Sequence, residues 1–219
     1  MTAILKVDTI QDTSGNNIIN ESSDTITIGA SGDTTNIIGT LQNNGSAVAS
    51  TNGITVADQW RLTAAQQLTT ADVTANLERV DTSGQGTIGS AMSESSGIFT
   101  FPSTGIYMVR FDASWYQASG AGGARYIIGR IKGTTNNSSY VDLALGYTNM
   151  EGWMANFIHA SCTTATLVDV TDTSNVKVKF STESATSSNF FLNGHTDKNL
   201  STFSFTRLGD TWWIIFIYK

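Results

Sequence analysis

Apolar and polar positions alternate along much of this chain, with a period of two. In GIYMVRFDASWY, residues 105–116, Tyr107, Val109, Phe111, Ala113 and Trp115 fall on one side, and Arg110, Asp112 and Ser114 on the other. Successive side chains of a strand point to opposite faces. This stretch therefore predicts a strand with one face in a core and the other in water or in an interface. Val176, Val178 and Phe180 in VKVKF repeat the pattern, as do Phe203 and Phe205 in LSTFSFTRL, residues 200–208. Further strands are predicted at ARYIIGRIK (124–132), SYVDLALGY (139–147), WMANFIHA (153–160) and TLVDV (166–170). The segments between them, such as ASGAGG, KGTTNNSS, TDTSN and ESATSSN, have turn chemistry. TAAQQLTTADVTANLE, residues 63–78, holds too many threonines for a helix and is read as a loop with room for one helical turn.

About eight strands with hairpin-length loops predict an all-β jelly-roll β-sandwich head over residues 53–210. Residues 1–50 follow another pattern. Ile18 and Ile19, Ile26 and Ile28, and Ile37 and Ile38 stand as isolated pairs between turn clusters such as Ser14-Gly15-Asn16-Asn17, and no aromatic residue occurs. DTI recurs at 8 and 24, and NII at 17 and 36. So few apolar residues cannot form a core of their own. Two readings stay open: a disordered leader, or a β-rich stalk or anchor whose isoleucines pack on copies of themselves or on a partner. The polar LQNNGSAVASTN, residues 41–52, reads as a linker to the head. Residues 211–219 form a third region, in which Trp212, Trp213, Ile214, Ile215, Phe216, Ile217 and Tyr218 run without alternation. Both faces of such a strand want burial, which predicts an assembly contact. Its reach of roughly 23 Å, at about 3.3 Å per residue, suffices for a subunit seam. A membrane span needs roughly 20 apolar residues as a helix and is not expected.

One proline and 20 glycines among many Thr, Ser and Asn agree with an all-β chain. Twelve basic residues against 18 acidic give a net charge of -6, with no cationic cluster to neutralise a run of phosphates, so nucleic acid is not an expected partner. Lys6, Asp8 and Gln11 interrupt the first residues, so no secretion signal is read there and the protein is expected to be made and used without export. Cys162 is the single cysteine, which rules out an intrachain disulfide.

Chemical motifs are few. GQGTIG, residues 84–89, fits G-x-G-x-x-G in letters only. The sequence after it leads to another strand, whereas a dinucleotide site needs a helix N-terminus there. His159 and Cys162 are ligand types without a second pair, and His195 is the only other histidine, so no metal and no cofactor are expected. Carboxylates are scattered singly and no nucleophile elbow occurs, so no catalytic residues are expected. Aromatics beside Asn, Ser and Thr remain. A flat apolar face next to fixed polar groups suits glycan or protein recognition, which marks Tyr140, Tyr147, Trp153, Phe190, Phe191 and His195 as receptor-contact candidates.

SGIFTFPSTGIYMVRFDASWY, residues 96–116, with Phe101, Pro102, Gly105 and Tyr107, resembles the jelly-roll heads of the tumour-necrosis-factor and complement globular-head superfamily, and LSTFSFTRLGD resembles their closing strand. VDTIQDTSGNNII, ADQWRLT (57–63), ERVDTSGQGTIG (78–89) and FTRLGDT are similar to tail-fibre-like structural proteins of marine bacteriophages that infect cyanobacteria and Pelagibacter-type hosts. That resemblance implies a virion location and a homotrimeric head. It also implies an N-terminal segment fastened to tail or capsid proteins, and attachment to a host surface glycan or protein. It stops near Thr211 and implies nothing for the run beyond. The expectation is thus a non-enzymatic tail fibre or fibre-like protein. The alternatives are a capsid-decoration, neck or head-fibre protein with a purely structural role, and a glycan depolymerase.

Overall fold

The computed structural model describes residues 9–11, 13–15, 17–22, 25–28, 32, 34–35, 42–43, 46–47, 53–67, 70–118, 123–150, 158–185 and 190–211. All regular structure among them is β-strand. The chain forms two compact units, Met1–Asn52 and Gly53–Lys219.

In the first unit, β1 (Thr9–Gln11), β2 (Asn17–Ser22) and β3 (Thr25–Ile28) form an antiparallel meander. Ile10 lies opposite Ile19 and Ile19 opposite Ile28, so these side chains share one face of the sheet. Ile26, two residues before Ile28, joins them. All four are exposed. β4 (Gln42–Asn43) and β5 (Ser46–Ala47) make a separate minimal hairpin.

The second unit, called the head below, is a jelly roll of two antiparallel sheets. Its strands are β6 (Ala57–Leu62), β7 (Gln66–Gln67), β8 (Ala71–Asp72), β9 (Leu77–Arg79), β10 (Ser93–Ser95), β11 (Ile98–Thr100), β12 (Gly105–Gln117), β13 (Ala124–Thr134), β14 (Val141–Met150), β15 (Ile158–Val170), β16 (Lys177–Ser184), β17 (Phe190–Leu192) and β18 (Thr202–Gly209). β12 is the axis of the first sheet. β15 pairs with it over its whole length, while β18 and β17 share its other edge, and β6, β9 and β7 extend the sheet. The second sheet runs β10-β11-β16-β13-β14, with β8 beside β16. From β11 to β16 the chain crosses between sheets at every step except the β13–β14 hairpin, which is the jelly-roll winding.

Two segments differ from the sequence expectation. Residues 158–170 form one strand and not the ends of two, because the polar SCTTAT stretch is carried by an unbroken ladder to β12 while its outer face meets water. Among the described residues of 63–78 there is no helical turn: β7, β8 and the start of β9 patch β17, β16 and β6.

The core is aromatic. Tyr107, Val109, Phe111, Ala113 and Trp115 are all essentially inaccessible, as the alternation of 105–116 requires. Phe111 of the first sheet stacks on Phe203 at 4.9 Å, and Phe203 lies 4.6 Å from Phe180 of the second. Phe99 bridges the sheets, 5.5 Å from Phe180, 5.0 Å from Phe205 and 5.4 Å from Trp60. Offset and edge-on ring pairs of this kind add about 0.5–1.5 kcal/mol each beyond their burial. The FPSTGIY segment has a physical account too. Phe101 packs 4.7 Å from Tyr107, whose hydroxyl reaches back to Ser103 Oγ at 2.9 Å. Gly105 sits at φ 143°, where a Cβ would stand 2.6 Å from the Gly209 carbonyl oxygen. Glycine is required there both for the backbone angle and for the close approach of β18.

Candidate functional site

The receptor-contact candidates scatter. Phe190 corrects the sequence expectation: it is fully buried in the core, because alternation along β17 turns Phe190 and Leu192 inward and only Phe191 outward. Phe191 is half-buried and stacks on Tyr116 of β12 at 5.1 Å, with ring planes 11° apart. His195 is half-buried in a turn. Its backbone N–H donates to Leu62 O at 2.8 Å, and its Nδ1 accepts from the Asp197 backbone N–H at 2.9 Å. Tyr147 is 63% exposed on β14. Trp153, like the run Trp212–Tyr218, lies outside the described residues.

Two features of the head stand out instead. The first is an apolar edge where β14 of one sheet closes on β15 of the other. Glycines permit this closure: a Cβ on Gly146 would stand 2.9 Å from Cys162 Sγ, and one on Gly129 would stand 3.2 Å from Phe111. A bulge opposite Ile131 and Lys132 then breaks the β14 register. It turns Val141 and Leu143 toward the open end of the sandwich, where Leu143 packs over Gly133. There they line a cavity of about 470 Å³ with Leu167, Val168 and Val176. Leu145 and Tyr147, opposite Arg130 and Ile128, stand on the outer face. Val141, Leu143 and Leu167 are thus exposed around this cavity, and Leu145 and Tyr147 are exposed on the outer face.

The second feature is a charged cleft on the outer face of the second sheet. The inward positions of β13 and β16 carry Ile127, Ile131, Val178 and Phe180, so Arg130, Lys132, Lys179, Ser181 and Glu183 face outward. Asp72 of β8 pairs with Lys179 at 2.7 Å and with Lys132 at 3.5 Å. Arg130 pairs with Glu183, and its Nε lies 3.7 Å from Asp142. The Lys179 ammonium sits 4.3 Å from the centre of the Tyr140 ring. Burial first, and Asp72 as well, push the Tyr140 phenol up, against the opposing pull of Lys179, so the hydroxyl stays protonated. Thr70, Ala71, Asp72, Arg130, Lys132 and Ser181 line a cavity of about 230 Å³ here. Sequence reasoning singled out Tyr140 alone from this set. The alternation that turns Val178 and Phe180 inward also puts Lys177, Lys179, Ser181 and Glu183 on the other face of a central strand, and that face carries the signal for the cleft.

No group of three or more potential metal ligands gathers among the described residues. His159 and Cys162 fall on opposite faces of β15 and cannot share an ion. His159 faces out, whereas Cys162 packs on the core beneath Gly129 and Gly146, and burial raises its thiol pKa. GQGTIG lies in the turn between β9 and β10, and Ile88 bridges back to Ala57, which leaves no helix to receive a phosphate. ADQWRLT proves structural. Asp58, at 4% exposure, accepts from Trp60 Nε1 at 3.1 Å, Arg79 Nε at 3.0 Å and the Met92 backbone N–H at 2.9 Å. Buried Arg61 donates to Glu78, Asp81 and Thr82. This network pins β6 to β9 and to the turn that follows.

The fold has counterparts among solved structures. Eiger, a TNF from S. frugiperda, superposes with a TM-score of 0.52 at 11% identity, over 73% of this chain and 96% of that one. Murine APRIL at pH 5.0 gives 0.49 at 11% identity, over 70% and 98% of the two chains. The globular domain of zebrafish complement 1qA gives 0.44 at 15% identity, over 71% and 99%. At these identities the likeness is one of fold. No family model matches the chain, and no curated protein matches it.

Proposed function

We propose that the chain is a non-enzymatic virion structural protein of a marine bacteriophage, a homotrimer of jelly-roll heads acting as a tail fibre or fibre-like attachment protein. In this reading residues 1–50 dock on tail or capsid proteins and the heads meet the host surface. The observation that carries self-association is the apolar edge of β14 and β15. An isolated head would hold Val141, Leu143 and Leu167, which line one cavity, in water, and contiguous apolar surface of this kind marks an interface. A closed ring of identical heads covers that surface on every copy. Three weak surface sites on one rigid head then bind together, and avidity supplies the attachment strength. The aligned isoleucines of the N-terminal meander supply a second face that wants a partner. The run 212–218 belongs to the same proposal as an assembly contact.

A purely structural role, as a capsid-decoration, neck or head-fibre protein, is favoured by one observation: Phe190 is core, and Phe191 and His195 are half-buried, which removes loop aromatics from the attachment surface. Mass measurement and cell binding decide. The purified protein should show three times 23.4 kDa at micromolar concentration, and Leu143→Asp with Leu167→Glu should reduce it to a folded monomer. A wild-type monomer sinks the trimer. Saturable binding to cyanobacterial or Pelagibacter-type cells supports attachment, and a trimer that binds no host cell supports the structural role.

A further inference from the structure

The outer face of the second sheet holds buried polar atoms that make no hydrogen bond among the described residues. Ser181 is 2% exposed, and its Oγ has no hydrogen-bond partner among the described residues. Arg130 Nε and Tyr140 Oη are likewise buried and without hydrogen bonds. A buried polar atom left unmet loses its hydration with nothing in return, so native folds keep few of them. Here Ser181 and Arg130 line one cavity, and Tyr140 stands beside it across the Lys179–Asp72 pair. The cluster carries three cations, Arg130, Lys132 and Lys179, against three carboxylates, Asp72, Asp142 and Glu183.

We propose that this cleft is a binding site for a neutral, polyhydroxylated ligand, a single hexopyranose unit of a surface glycan. Each hydroxyl both donates and accepts, so one sugar ring can accept from Arg130 Nε–H and the Ser181 hydroxyl while donating to Asp72 or Glu183. The absence of net charge disfavours an anionic ligand, which would meet three carboxylates. The volume of about 230 Å³ holds on the order of seven waters at about 30 Å³ each, which is room for one ring and its hydroxyls. The inference deepens the attachment reading above and rests on it for its biological meaning.

The test titrates the full chain with the methyl glycosides of glucose, galactose and mannose and with methyl glucuronide, by calorimetry and by amide shifts in NMR. At least one neutral glycoside should bind in the millimolar range and shift residues 70–72, 130–132 and 181–182. Ser181→Ala and Arg130→Lys, which keeps the charge but removes the Nε donor, should each weaken it about tenfold. Unchanged thermal unfolding of both variants excludes misfolding as the cause. Any of four results overturns the proposal: no neutral glycoside binds, the shifts map elsewhere, both variants bind as wild type, or glucuronide binds more tightly than every neutral glycoside. Cell binding separates the two readings. A protein that adheres to host cells but ignores all glycosides loses this cleft and keeps the attachment role. One that binds a glycoside here but adheres to no host cell keeps the cleft and loses attachment.

Discussion

The two units of this chain use one kind of secondary structure with opposite results. In the head, every inward residue of β12 from Tyr107 to Trp115 is shielded by the second sheet. In the N-terminal meander, Ile10, Ile19 and Ile28 line up as regularly across three strands, yet each is at least 38% exposed. Pairing sets which side chains share a face. Only a second layer turns that face into a core, and at about 25 cal/mol per Å² of apolar surface removed from water the second layer supplies most of the stability.

The largest expected effect of breaking this contrast is at Phe111, which stacks on Phe203 and packs against Phe180. Phe111→Ala should cost the head roughly 3–5 kcal/mol and lower its Tm by roughly 10 °C in calorimetry. A loss below about 1 kcal/mol would mean that the two sheets do not pack as described. Next comes Asp58→Ala, which leaves Trp60 Nε1 and the Met92 N–H without their acceptor and Arg79 without its partner. Chemical denaturation should register a loss of roughly 3 kcal/mol. Ile19→Ser sharpens the other side of the contrast. The head transition should stay within about 0.5 kcal/mol of wild type, while any assembly through residues 1–50 weakens. A head destabilised by this change would show that the first unit is part of its core.

The smallest effect is electrostatic. Asp172 accepts from the Ser174 backbone N–H at 2.7 Å and from Asn175 Nδ2 at 2.6 Å, which holds its carboxyl below the ordinary carboxylate range. A depressed folded-state pKa gives stability that is present above the unfolded pKa, near 3.9, and lost as pH falls through the folded value. Asp172→Asn should lower the Tm slightly at pH 7 and flatten its decline below about pH 4. Parallel curves for the two proteins across that range would refute the assignment.

The jelly-roll core was legible because its strands alternate. Tyr107, Val109, Phe111, Phe180, Phe203 and Phe205 could be assigned inward from spacing alone, and they are inward. Phe190 was misread because an aromatic after the polar ESATSSN resembles a loop residue. Its burial depends on β17 pairing with β12, some 75 positions earlier in the chain, and nothing local encodes that. The candidate cleft was almost invisible for the same reason. Asp72 and Ser181 are register partners separated by more than a hundred residues, and Arg130 faces Ser181 across a different pair of strands.

By itself the sequence determined the class of structure: strands from the period of two, turns from Gly, Asn and Ser, and the division of each strand into a wet and a dry face. These are local consequences of backbone geometry and side-chain polarity. The tertiary structure alone decided which dry faces find a cover, where β14 bulges away from its register to open an apolar cavity, and which unpartnered polar atoms meet on one face. Each of these depends on pairing between distant segments, whose free energy no short window of residues contains.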